Sequence, residues 1–215
     1  MPETSTRDII RAHQRRLMVL EEQRAQQGSH TPPAIITEIN EIYRELTRLM
    51  VRNISVQKEQ QPRRLRGLIL LVGTGQSKKG PLDQSALDAI SYHQRTLDYC
   101  WLIGSGGETG SHEAVDALLA ECRHRDITAS AHYVDDPFSV QESYALVTRL
   151  YAEDIRATGL REDEVIADLT GATKPMSFGM LLACGASRPT QYMVRQPEAP
   201  STPMMLRYTL GEDQA

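Results

Sequence analysis

The sequence predicts an α/β protein: a mostly parallel sheet with helices on both faces, preceded by an N-terminal helical hairpin. Three observations carry this. Beyond residue 66, short apolar runs alternate with amphipathic stretches of helical length, the pattern of parallel strands buried on both faces and joined by covering helices. Before residue 52, apolar residues recur instead at spacings of three and four, which is helical periodicity. A length of 215 residues accommodates one such domain and a small appendage.

The hairpin is expected over residues 1–51. Residues 6–28 read as a helix with Ile10, Leu17 and Leu20 as apolar positions and Gly28 as its C-cap. Thr31 is the expected N-cap of a second helix, whose first turn tolerates Pro32 and Pro33. There Ile35, Ile39, Ile42, Leu46 and Leu49 form an apolar seam of heptad type, which asks for cover from the first helix or from a second chain. Residues 52–66 are polar and include Gln60-Gln61-Pro62-Arg63-Arg64, so they read as a linker. The main domain is then 67–215. Its strands are expected at Gly67–Val72 (GLILLV), Tyr99–Ile103 (YCWLI), Thr128–Val134 and Val165–Leu169, with terminal strands at Gln191–Val194 and Met205–Thr209. Helices are expected at Asp83–Thr96, Ser111–Arg123, Phe138–Thr158 and Pro175–Cys184. This alternation is Rossmann-like.

Composition removes several function classes. A net charge of -4 gives no overall attraction to duplex nucleic acid or to an anionic membrane. No apolar run approaches the ~20 residues a membrane helix needs, and the polar N-terminus is no signal peptide. Cys100, Cys122 and Cys184 are too few and too scattered for a disulfide framework, and read as reduced thiols of a cytoplasmic protein. The six histidines show no metal-ligand spacing, so no metal and no cofactor are expected. GxxxxGK[ST] and GxSxG are both missing, which removes a P-loop and a nucleophile elbow.

In an open parallel sheet, ligands bind beyond the carboxyl ends of the strands. Four loops are expected there: Gly73-Thr74-Gly75-Gln76-Ser77-Lys78-Lys79, Gly104-Ser105-Gly106-Gly107-Glu108-Thr109, Asp135-Asp136-Pro137, and Thr170-Gly171-Ala172-Thr173-Lys174-Pro175. The first, second and fourth are rich in Gly, Ser and Thr. Glycine lets backbone N–H groups approach phosphate oxygens, hydroxyls add donors, and the following helix N-terminus adds a favourable dipole. Three such loops with Lys78, Lys79 and Lys174 suit a polyanionic or nucleotide ligand. The expected ligand residues are Gly73, Thr74, Gly75, Gln76, Ser77, Gly104, Ser105, Gly106, Thr170, Gly171, Ala172, Thr173, Lys174 and Pro175.

The stretch Asp168-Leu169-Thr170-Gly171-Ala172-Thr173-Lys174-Pro175-Met176-Ser177 is more specific. It resembles the D-[LIV]-T-G-G-T-K-P-M-S motif of CRISPR-associated Rossmann-fold (CARF) domains, with Ala172 in place of the second glycine. The likeness extends over roughly residues 65–210 and is specific only in the Thr-Gly-x-Thr-Lys-Pro segment. It implies a homodimer that binds a cyclic oligoadenylate, here expected to be cyclic tetra-adenylate, across its two-fold axis in type III CRISPR antiviral signalling. Family members usually carry an effector domain; none is expected after the last strand, and the hairpin at 6–50 has no catalytic cluster. Two roles therefore stand. One is a sensor or adapter whose hairpin engages a protein effector. The other is a metal-independent ring nuclease, in which a ribose 2′-OH attacks the adjacent phosphate. Ser77, Thr173 and Lys174 are its catalytic candidates, and the sequence offers no evident general base.

Overall fold

In the computed structural model, which describes residues 6–53, 65–74, 83–185, 187–194 and 201–206, the chain divides into two compact units. One holds the N-terminal helices and the other holds the sheet.

The first unit contains α1 (Thr6–Gln27), a 3₁₀ turn (Gly28–His30) and α2 (Pro33–Asn53). Ile10, Leu17 and Leu20 of α1 and Ile39, Ile42, Tyr43 and Leu46 of α2 are buried. The seam is thus covered at its centre, while Ile35 and Leu49 at its ends are half-buried. Arg16 forks onto Glu38 at 2.7 and 3.0 Å, and the Tyr43 hydroxyl donates to Glu21 at 3.3 Å. Gly28 has φ +53°, the left-handed residue that ends a helix. Thr31 departs from its expected role. Its hydroxyl donates to the Gly28 carbonyl at 2.7 Å, closing the turn behind it, and it does not cap α2. Helix α2 also runs through Asn53, into the stretch expected to be linker.

The second unit is a six-stranded sheet of order β3-β2-β1-β4-β5-β6. Its strands are β1 (Gly67–Leu71), β2 (Tyr99–Ser105), β3 (Thr128–Val134), β4 (Val165–Asp168), β5 (Thr190–Val194) and β6 (Thr202–Leu206). All neighbours run parallel except β6, which is antiparallel to β5. Every β1 residue is buried, as a central parallel strand requires. Leu68, Leu70 and Val72 share a core with Ala89 and Ile90 of α3 (Gln84–His93) and Val115 and Leu118 of α4 (His112–His124). Ile69 and Leu71, equally buried, point to the opposite face by strand alternation. The other two helices are α5 (Val140–Leu150), prolonged by a π-turn at Tyr151–Ile155, and α6 (Lys174–Cys184). They pack so closely that a Cβ on Gly179 would lie 2.4 Å from the Val140 carbonyl oxygen.

Several boundaries differ from expectation. Leu65 is buried in the α3–α4 core and Arg66 donates its amide to the Glu164 carbonyl at 2.9 Å, so the end of the expected linker belongs to the sheet unit. Strand β2 continues through Gly104 and Ser105 because its pairing with β3 persists to Ser105 opposite Val134. Strand β6 starts at Thr202, earlier than the expected Met205, and residues 207–209 lie outside the described residues. The three cysteines are free and buried. Among the described residues no helix is long and apolar enough to cross a membrane.

Candidate functional site

Strand β1 has β2 on one side and β4 on the other. The chain proceeds outward from β1 through β2 to β3, then from β4 through β5 to β6. The winding reverses between β1 and β4, and a crevice beyond their carboxyl ends is where such sheets hold ligands. The loops after these two strands meet there. A Cβ on Gly171 would stand 1.9 Å from the Leu71 carbonyl oxygen, so only glycine lets the β4 loop press against the end of β1. Asp83 holds the other loop. Its Oδ2 accepts the Gly73 amide at 2.8 Å. Its Oδ1 caps α3, accepting the Ser85 amide at 3.1 Å, the Ser85 hydroxyl at 2.5 Å and the Ala86 amide at 3.4 Å.

The β4 loop is pinned from below by a buried polar chain. Asp168, only 2% exposed, accepts the Thr170 amide at 2.8 Å and the Gln191 side-chain amide at 2.8 Å. Burial raises its pKa, and these donors work against that rise. The Thr170 hydroxyl oxygen accepts the Met193 amide at 2.6 Å. With its NH₂ group spent on Asp168, Gln191 turns its carbonyl to His93 Nε2, 3.0 Å away. The network therefore assigns the His93 proton to Nε2. Burial lowers the His93 pKa, which favours the neutral ring. The chain His93–Gln191–Asp168–Thr170 thus ties α3, β5 and the end of β4 together.

Above this base the loop turns into α6. Ala172 has φ +62°, the left-handed region that disfavours a residue with a Cβ by about 1 kcal/mol. That geometry supplies a physical reason for glycine at this place in the motif that the segment resembles. The Thr173 hydroxyl donates to the Pro137 carbonyl and accepts the Met176 amide at 3.4 Å, capping α6. Both of these bonds hold the loop to its surroundings. The Ser177 hydroxyl lies 3.1, 3.4 and 3.2 Å from the carbonyls of Leu169, Gly171 and Thr173, holding the loop closed. Lys174 is the first residue of α6 and is exposed, and Pro175 follows it in the first turn. A cation at a helix N-terminus, beside tightly drawn backbone, is chemistry for an anion.

The predicted site residues are thus distributed unevenly. Gly73 and the Thr170–Pro175 loop come together, with Thr74 exposed beside Gly73. Gly75, Gln76 and Ser77 lie outside the described residues. Gly104 and Ser105 are in β2 and buried, not in a loop as expected. A Cβ on Gly104 would meet the Ser111 hydroxyl at 2.6 Å, so this glycine serves packing of α4. Gly106 begins the actual loop, its amide donating to the Val134 carbonyl at 2.7 Å. Sequence reasoning missed Asp83 and Gln191. Asp83 carried a signal, an aspartate directly before an apolar-periodic helix. Gln191 carried none beyond being polar in a strand.

No family model and no curated protein matches the chain. Solved structures similar over part of it include the following two. One is a Type III CRISPR defence DNA nuclease activated by cyclic oligoadenylate, at 16% identity and a TM-score of 0.42, covering 69% of this chain and 22% of that one. The other is Csm6 of Enterococcus italicus bound to cyclic hexa-2'-fluoro-hexa-dAMP, at 13% identity and a TM-score of 0.48, covering 62% of this chain and 34% of that one. The chain therefore spans no more than about a third of the length of either protein.

Proposed function

We propose that the sheet unit is a CARF-type domain that binds a cyclic oligoadenylate in the crevice between β1 and β4, in type III CRISPR antiviral signalling. One observation carries the reading. The segment Asp168–Ser177, which resembles the family motif, forms a loop pressed onto β1 through Gly171 and delivers Lys174 to the start of α6. A symmetric ring suits a two-fold pair of such crevices, so the working form is a homodimer that holds one ring, with cyclic tetra-adenylate as the preferred size. The protein acts in the cytoplasm as a sensor or adapter, and the α1–α2 hairpin passes the signal to a protein effector.

The sensor reading is favoured over a ring nuclease because the Thr173 hydroxyl is engaged on both sides, by Pro137 and Met176. That leaves Lys174 alone among the described catalytic candidates. A single lysine can steady charge on a phosphate, but attack by a 2′-OH also asks for a second group to take the hydroxyl proton.

The test is calorimetry of the full chain with cyclic tri-, tetra- and hexa-adenylate, followed by chromatography of the incubated ring. Submicromolar binding at one ring per two chains, with the ring recovered intact, is the expected result. Binding to none of the three overturns the proposal. Recovery of linear products overturns the sensor role and leaves the ring nuclease.

A further inference from the structure

Phe138 is 74% exposed, the largest value among the exposed large apolar side chains of the described residues. Exposure alone says little, because isolated apolar residues on a surface are ordinary. What sets Phe138 apart is how it is held. Its own amide donates to Asp136 Oδ1 at 2.9 Å, and the Ser139 amide donates to the Asp136 carbonyl at 3.0 Å. The Asp136 amide donates to Glu142 at 2.9 Å, and the Glu142 amide to the Ser139 hydroxyl at 3.2 Å. The backbone on both sides of the ring is therefore fixed. The Pro137 carbonyl, one residue away, takes the Thr173 hydroxyl, which joins this turn to the residue preceding Lys174.

An aromatic ring carried on a fixed backbone, exposed at the carboxyl edge of the sheet and joined through Pro137 to the loop that presents Lys174, matches a ligand that is anionic on one side and flat and aromatic on the other. The groups gathered at residues 170–174 are backbone amides and an ammonium, which answer phosphates and hydroxyls. None of them answers the π-face of a base.

We infer that Phe138 is a base-stacking residue, whose ring covers the face of an adenine while the adjoining phosphate lies at the start of α6. The inference rests on the cyclic oligoadenylate reading and adds to it the residue that recognises the base. Stacking of this kind is tolerant of base identity and strong for purines.

The experiment compares the full-length wild type with Phe138→Ala, Phe138→Leu and Phe138→Trp, using calorimetry with cyclic tetra-adenylate as the probe. Loss of one base–aromatic stack corresponds to about 5- to 150-fold weaker binding; a two-fold pair loses one stack in each chain, so at least this loss is expected for both the alanine and the leucine variants. The tryptophan variant should match or exceed the wild type, and its added fluorescence should be quenched by the ring. Melting temperatures should be unchanged, because the ring packs on little. Wild-type affinity in Phe138→Ala overturns the inference. Full rescue by leucine overturns it too, because an apolar contact with a second copy would then suffice. Absence of binding by the wild type itself would overturn the parent reading, and this inference with it.

Discussion

Replacing Gln191 with glutamate changes one NH₂ group into an oxygen and almost nothing in shape. Gln191 is fully buried, and its NH₂ group sits 2.8 Å from Asp168. In Gln191→Glu two carboxyl groups face each other there, and one must hold a proton for the contact to survive. A free glutamate titrates near pH 4.3, and each pH unit above that is ~1.4 kcal/mol, so keeping the proton costs about 3.7 kcal/mol at pH 7 and about 1 kcal/mol at pH 5. The variant should therefore gain roughly 2.7 kcal/mol of stability, relative to the wild type, on going from pH 7 to pH 5. In the wild type His93 pulls the other way, against the raised carboxyl of Asp168. Burial holds His93 below its ordinary value of 6.5, so the unfolded chain takes up that proton first. This contribution to stability is complete above about pH 6.5 and is lost as the pH falls toward the folded pKa. Urea unfolding at pH 5, 6 and 7, followed by Trp101 fluorescence, reads both slopes. A companion Gln191→Met should lose about 2.5–4 kcal/mol, the sum of one neutral and one charge-assisted hydrogen bond, without the opposite pH slope. Parallel pH dependences for Gln191→Glu and wild type would refute the hydrogen-bond chain as described.

Other expectations are smaller in scope. Lys174→Ala should weaken ring binding about 10- to 150-fold per site, the worth of one charge-assisted contact, and by more where both subunits touch one ring, with no change in melting temperature because the side chain is exposed. Ala172→Gly should raise stability by up to about 1 kcal/mol by relieving φ +62°, less the extra freedom glycine gains on unfolding; chemical denaturation measures it, and a loss of stability would contradict the strain. The Arg188 guanidinium, bonded to Glu162 at 3.0 and 2.8 Å, holds that carboxyl below its ordinary pKa. Its contribution is present above about pH 4.5 and is lost as the pH falls through the lowered value. Glu162→Gln should therefore cost at most ~1 kcal/mol at pH 7 and nothing in strong acid, as thermal melts at both pH values would show.

The fold was legible because buried parallel strands write continuous apolar runs, as in Gly67–Val72, and covering helices write periodic ones. Strand ends were less legible. Gly104 and Ser105 read as loop residues by type, yet pairing with β3 keeps them in the sheet. Thr31 illustrates the same limit: a hydroxyl before a helix can accept from the turn ahead or donate to the turn behind, and composition does not choose. At the site, the Gly-Ser-Thr loops were visible because their residue types are unusual. Gln191 was not, because its role depends on which strand becomes the neighbour of β4, and that is fixed by topology.

The bond from Thr173 to Pro137 has a consequence for how this chain can vary. In most open sheets the turns leaving the strands tolerate insertion and deletion independently, since each runs over the surface alone. Here the turn at 135–139 and the turn at 170–174 share a joint, so a residue added to one must be absorbed by the other. Related chains that retain the joint should hold these two turn lengths constant as a pair.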